Sequence, residues 1–375
     1  MKSNYNQLGQ YIEMVSRTNS DLKYGIEDVR GCSNTKQMMQ TRANLIGRTY
    51  EKFIVLRPQE FVFNRRTTRN GEKIGMAYNN TDREYIFTND YVAFRVKQEY
   101  LDKLLPDYLY MFFCRDEFDR YARYKSTGSA TEFFNWEDMC AVPFEIPPMD
   151  FQQLVVNAYK VLNERIETKQ KINDNLATQA LTLFSDFVSH RSKKLEQRKL
   201  GDVIASANTG GDAIQKVPIV DYDTGIKCAR VGDITNAREY ASWAFCNASK
   251  SVYDNYKLQA GDILVTRTAT LGITQYIAKD ISAVYNNGLI RLKVDDTNAL
   301  SLYIYWAMKT SDFLNYINQM NSATSVRPNM KIDYLLNYQL SIPSIEEQTQ
   351  FTNAVEPLMK AISLNNDEIL KLSEF

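Results

Sequence analysis

The segment LPDYLYMFFCRDEFDRYARYKSTGSAT at 105–131 is answered later in the chain by LSLYIYWAMKTSDFLNYINQMNSAT at 300–324. Both open on an aromatic stretch, Tyr108, Tyr110, Phe112 and Phe113 in the first and Tyr303, Tyr305 and Trp306 in the second, and both close on Ser-Ala-Thr. Such rings predict a helix packed on a core. Their recurrence matters more, because a segment this long does not repeat unless the surrounding fold repeats with it.

Working outward, every flanking segment has a counterpart. Upstream, YNQLGQYIEMVS at 5–16 is echoed by QRKLGDVIASAN at 197–208, with Leu8-Gly9 against Leu200-Gly201. EFVFNRRTTRNGEKIGMAY at 60–78 is matched loosely by GDILVTRTATLGITQYI at 261–277. Each reads as a short alternating strand, a polar turn carrying arginine and a return strand with glycine. Downstream, VPFEIPPMDFQQ at 142–153 and YQLSIPSIEEQT at 338–349 each put a proline (Pro147, Pro343) at a strand end, before an amphipathic helix. The repeat distance of roughly 190 to 200 residues suits two whole domains rather than a solenoid.

The connecting segments carry a different pattern. From Asp150 to about Ser189 there is no proline or glycine, and Leu154, Val161, Ile166, Ile172, Leu176, Leu183 and Phe187 recur at helical intervals. A helix of about 35 to 40 residues would be about 50–60 Å long, the length of a spacer or coiled coil. Residues 346–375 repeat the pattern less regularly, with Pro357 expected to interrupt its early part. Neither helix buries an apolar stripe alone, so the two are expected to pair antiparallel, unrelated dimerisation helices being the alternative. The reading is a mixed α/β fold: similar domains at 1–149 and 193–345, with helical segments at 150–192 and 346–375.

Composition narrows the function classes. The 375 residues hold 45 Lys plus Arg and 45 Asp plus Glu, a formal net charge of zero. Zero net charge argues against a protein held to nucleic acid mainly by overall basic charge, and leaves open one whose charge is segregated in space. Five scattered cysteines and one histidine offer neither a zinc spacing nor a disulfide framework, which suits a reducing compartment. The N-terminal stretch has no signal-peptide character, and no run of 18 apolar residues occurs, so a cytoplasmic protein is expected.

A search for chemistry ends without a catalytic set. His190 lies in SHRSKK, a solvated helix end with no nucleophile beside it. NTGGD at 208–212 lacks the context of a phosphate loop. Asp295-Asp296 and Glu346-Glu347 have no accompanying metal or base motif. No catalytic, metal or cofactor residue is assigned, and any reaction is expected on a partner.

The order KLGDVI at 199–204, IKCARVGDI at 226–234, GDILVTRTATLG at 261–272 and SIPSIEEQTQF at 341–351 resembles the specificity subunits of Type I restriction-modification systems. With the repeat, the resemblance extends over nearly the whole chain. It implies two target-recognition domains, each reading half of a bipartite double-stranded DNA target, on spacer helices that set the separation. It implies two methyltransferase subunits using S-adenosylmethionine, and nuclease-translocase subunits using ATP and magnesium, with no cofactor on this chain. The first copy departs from the pattern more than the second: EFVFNRRTTRNG stands for Gly-Asp-Ile-Leu, and FEIPPMDFQQ lacks the paired acids of SIPSIEEQTQ. A two-headed protein-interaction adaptor is the competing reading.

DNA contacts need donors for phosphate and for base edges. In the first domain the candidates are Asn64, Arg65, Arg66, Arg69 and Lys73, with Lys125, Ser129 and Thr131 from the loop after the aromatic helix. In the second they are Lys227, Arg230, Arg267, Thr268 and Thr270, with Ser322, Thr324 and Arg327 from the corresponding loop. Arg267 is the sharpest single candidate, a structural role being its alternative. Gln152, Gln153, Glu347 and Gln348 are expected at the domain–helix junctions, in partner contacts or in capping.

Overall fold

The computed structural model describes residues 6–41, 45, 47–66, 73–128, 132–190, 196–210, 218–322 and 329–373. They divide into two compact units, Met1–Asn163 and Glu164–Phe375, the boundary falling inside one continuous helix.

The first unit is built on four antiparallel strands, β1 (Ile12–Val15), β2 (Phe61–Asn64), β3 (Met76–Tyr78) and β4 (Tyr91–Val96), in the order β1-β4-β2-β3. Strand period sorts their side chains between two layers. Phe61, Phe63 and Phe94 face a core completed by α1 (Pro106–Phe113) and α2 (Asp116–Lys125), while Val62, Ala77 and Ala93 face a second cluster with Leu56, Tyr85 and Phe87. Pro106 opens α1 at a position where its missing N–H costs nothing.

The second unit repeats this plan. Strands β5 (Ile204–Thr209), β6 (Ile263–Thr266), β7 (Thr274–Tyr276) and β8 (Leu289–Val294) run antiparallel in the order β5-β8-β6-β7. Ile263 and Val265 face the core of the long helices, and Leu264 the opposite cluster with Ala283 and Tyr285. Helices α4 (Ser301–Ala307) and α5 (Ser311–Ser322) hold the places of α1 and α2. The outer layers differ. Ile54–Leu56 pairs antiparallel with Tyr85–Phe87 in the first unit, whereas Lys227–Ala229 runs parallel to Ala283–Tyr285 in the second.

The Leu-Gly pairs gain a physical reason. Leu8 N–H donates to the Val142 carbonyl at 2.9 Å and Leu200 N–H to Tyr338 at 2.8 Å. A Cβ on Gly9 would stand 2.7 Å from Cys140 Cβ, and one on Gly201 3.3 Å from Leu336. The glycines let each domain's first segment close on its last.

Helix α3 (Met149–Ser189) is 41 residues long, about 60 Å. Helix α6 (Ile345–Leu372) packs antiparallel to its later part, as expected. Phe184 stacks edge-on to Phe351 with ring centres 5.3 Å apart, Asn173 bonds Asn366 at 2.7 Å, Lys169 pairs with Glu368 at 2.7 Å, and Arg165 also pairs with Glu368. Polar side chains in such a seam favour one register.

Two expectations about these helices are corrected. Pro357 lies inside α6 without breaking it, because the carbonyl it leaves unpaired belongs to exposed Asn353 and can take water. The apolar stripe foreseen on α3 is only in part its packed face: Phe187 packs on Tyr303 and Phe351, and Ile166 and Leu176 are half-buried. Val156, Ala180 and Phe184 are buried, while Leu154 (67% exposed), Val161, Ile172 and Leu183 stand open.

Candidate nucleic-acid interface

In each unit the hairpin of the second and third strands meets the loop that follows the helix pair. In the first, Arg66 bridges to Phe133, and Phe134 N–H donates to the Arg65 carbonyl at 2.9 Å. In the second, Thr268 bridges to Asn329, and Met330 N–H donates to the Arg267 carbonyl at 2.8 Å. Arg65 and Arg267 are thus structural equivalents. In each unit the hairpin candidates Arg65 and Arg66, or Arg267 and Thr268, are thus joined to the chain that follows the helix pair.

At the first edge the side chains are available. Asn64 Oδ1 accepts the Arg66 N–H at 2.9 Å, forming a tight turn. Arg66 reaches Asp90 at 3.4 Å and Lys73 reaches Asp116 at 3.3 Å, all four side chains more than half exposed. Such pairs contribute little and yield readily to a phosphate. Lys125 closes α2 and lies 5.9 Å from the Tyr121 and Tyr124 rings. Arg69, Ser129 and Thr131 lie outside the described residues.

Tyr124 was missed in the sequence reading. It is 82% exposed, beside Lys125 and off the buried positions Phe118, Asp119 and Ala122 of its helix. Its place on the polar face was the available signal. A ring so placed offers a stacking surface.

The second edge is more committed. Arg267 Nε donates to the Met330 carbonyl at 3.1 Å and a terminal nitrogen donates to Asn287 at 3.2 Å. The guanidinium of the sharpest sequence candidate therefore pins backbone, a structural role of the kind weighed beside a DNA contact. Lys227 donates to the Ala241 carbonyl and lies over Tyr240 and Phe245. Burial pulls its ammonium below the usual range, and it stands apart from the hairpin. Arg230 is held to Asp233 at 3.2 Å. Its chain neighbour Val231 lies near the edge, since a Cβ on Gly288 would meet both Val231 and Thr268. Thr270 is exposed. Ser322 ends α5, and Thr324 and Arg327 lie outside the described residues.

Of the four junction candidates, two are buried. Gln152 Oε1 accepts the Leu105 N–H at 2.9 Å, and its Nε2 donates to Lys103 and Pro147 at 2.7 and 2.8 Å. Gln348 Oε1 accepts the Leu300 N–H at 2.7 Å and its Nε2 donates to Pro343 at 2.9 Å. Both are fully buried, so a partner cannot reach them; they tie each domain to its helix. Glu347 forms a capping box with Ser344. Gln153 is on the surface, bonded to Asn157.

Among the described residues no group of His, Cys, Asp and Glu is arranged to hold a metal ion, and no helix is long and apolar enough to cross a membrane. His190 Nδ1 lies 2.8 Å from the Asp186 carbonyl, a helix-end contact. Gly210 of the NTGGD segment has a packing reason: a Cβ there would stand 2.1 Å from the Tyr285 carbonyl. Asp295 is held below the usual carboxylate range by hydrogen bonds from Thr297 within a surface turn.

Residues 192–374 match the family described as the Type I restriction modification DNA specificity domain. No curated protein matches the sequence. Among solved structures the chain is similar to the Type-I restriction-modification system S subunit from M. genitalium, at 14% identity and a TM-score of 0.51, over 100% of this chain and 94% of that one. That likeness shows a shared fold. Fainter ones are to a chain solved for the complex assembly of the type I R-M system (14% identity, TM-score 0.42, 99% and 94% coverage) and to the HsdS subunit from Thermoanaerobacter tengcongensis (16%, 0.36, 98% and 94%).

Proposed function

We propose, from the premise that the second half of this chain is a Type I restriction-modification DNA specificity domain within a specificity-subunit fold, that the protein reads a bipartite double-stranded DNA target. The observation that carries this is the twice-built edge. In both units a polar hairpin and the loop after the helix pair are joined by the same bridge, Arg66 to Phe133 and Thr268 to Asn329. Two reading heads on one chain make the second binding event intramolecular, so modest individual affinities combine.

Catalysis is assigned to partners: methyltransferase subunits carrying S-adenosylmethionine, and nuclease-translocase subunits needing ATP and magnesium. The uncovered Leu154, Val161, Ile172 and Leu183 on α3 support helix-on-helix docking of such a partner, since exposed apolar stripes mark interaction surfaces. A partner's basic surface would also offset the neutral charge of this chain.

Selection from a random double-stranded DNA library, with the chain bound to its methyltransferase subunit, tests the reading. Two short words at constant spacing are expected. A folded, partner-bound complex that enriches no sequence overturns it in favour of the adaptor.

Arg66→Ala and Lys73→Ala are each expected to weaken DNA binding a few-fold on every sequence, lowering the salt slope by about one for each phosphate no longer neutralised. Titrations at several salt concentrations check this. An unchanged slope in both would place the first edge away from the DNA backbone.

A further inference from the structure

A cleft of about 550 Å³ opens in the second unit between the recognition domain and α6. Trp243, Tyr276 and Leu302 on one side and Met359 and Ile362 on the other give it apolar and aromatic walls. Three carboxylates, Glu239, Asp296 and Glu356, and two lysines, Lys279 and Lys360, also line it. The carboxylates form no ion pair with any described residue. Asn366 Nδ2 donates to Glu239 Oε1 at 2.7 Å, fixing that carboxyl at the cleft, where crowding by the walls lifts it above the usual carboxylate range.

The repeat supplies an internal comparison. Leu105 and Leu300 occupy the same place, each giving its N–H to the junction glutamine, so Asp107 corresponds to Leu302. Counting eight residues on from Gln152 and Gln348, Lys160 corresponds to Glu356. In the first unit Lys160 and Asp107 form an ion pair at 3.9 Å, and Tyr78 stacks on Tyr110 at 5.3 Å. There the chain supplies its own cation. In the second unit the lysine is replaced by a carboxylate, the aspartate by leucine, and the space stays open.

We propose that this cleft receives a basic side chain, an arginine, from a protein partner docked on the long helices. The proposal rests on the reading above, in which that partner is a methyltransferase subunit. A guanidinium fits the chemistry: its plane can lie against aromatic faces while its nitrogens donate to carboxylates. Glu239 and Glu356 supply the acceptors, and the half-buried Tyr276 the face. One of two otherwise equivalent partner sites would thereby be distinguished from the other.

The test is titration of the methyltransferase subunit of the same system onto the full chain at two salt concentrations. Glu239→Gln with Glu356→Gln removes charge and keeps shape. Leu302→Asp with Glu356→Lys rebuilds the first unit's ion pair and fills the cleft from within. Each double variant is expected to weaken one of the two binding steps about tenfold and to flatten its salt dependence, leaving the other step unchanged. Affinities within twofold of the parent chain for both variants, at both salts, would overturn the proposal. A change only in self-association of the chain, read by sedimentation velocity, would put a second copy in the cleft and overturn it as well. Failure of the parent chain to bind any methyltransferase subunit would instead refute the reading beneath it.

Discussion

Gln348→Leu is expected to lower the stability of the chain by about 2–5 kcal/mol, read as a fall in the urea midpoint. The side chain is fully buried and serves two backbone groups at once, the Leu300 N–H and the Pro343 carbonyl. Leucine has similar volume and serves neither, and each stranded buried group costs about 1–3 kcal/mol. Gln348→Glu separates hydrogen bonding from packing. A neutral carboxyl can donate to Pro343 as the amide does, whereas a carboxylate faces that carbonyl with like partial charge. Burial raises the folded-state pKa of the introduced group above its unfolded value of about 4.3. Its stability is then fully present below the unfolded pKa and lost as pH rises through the folded one. A Gln348→Glu chain no more stable at pH 4 than at pH 7, relative to the parent, would show that the bond to Pro343 contributes nothing.

Lys36→Met is expected to cost about 3–5 kcal/mol in the same measurement. Lys36 and Asp119 form an ion pair with side chains only 4% and 6% exposed. Lys36 also donates to the Ile74 carbonyl at 2.9 Å, and Asp119 accepts the Ile74 N–H at 3.0 Å. Burial pulls the Lys36 ammonium below its usual range, with Asp119 opposing the shift. Removing one member leaves a buried charge uncompensated, which costs far more than the pair contributes. Lys36→Met combined with Asp119→Asn keeps the bond to the Ile74 N–H, removes the stranded charge, and should recover most of the loss. A double variant as unstable as the single one would locate the cost in packing. Ile74 closes the hairpin that carries Lys73, so DNA affinity should fall together with stability.

These residues mark where sequence reading stops. Lys36 carries no signal, because Asp119 lies 83 positions away and neither belongs to a motif. The junction glutamines were legible as a position, each just inside a helix after a proline-bearing strand. Their role was not, because a glutamine at a helix start serves equally well on the surface or beneath it. Arg267 was singled out for its turn, yet its partners are Asn287 and Met330.

What the sequence by itself determined is the architecture. Apolar periods of two and of 3.6 are local properties of a chain, and their recurrence at one offset specifies two like domains and their helices before any contact is known. The Leu-Gly pairs, the paired aromatic helices and the antiparallel spacers follow from it. What only the tertiary structure decided is which polar groups are already occupied and which apolar faces are left bare. Arg65 and Arg267 hold equivalent places, yet Arg267 is bound to carbonyls brought in from positions 20 and 63 residues away. Leu154 and Phe184 lie on one helix, yet only Phe184 meets Phe351 and Tyr303. Hydrogen-bond partners and packing neighbours are set by the path of the whole chain through space, and no local pattern records them.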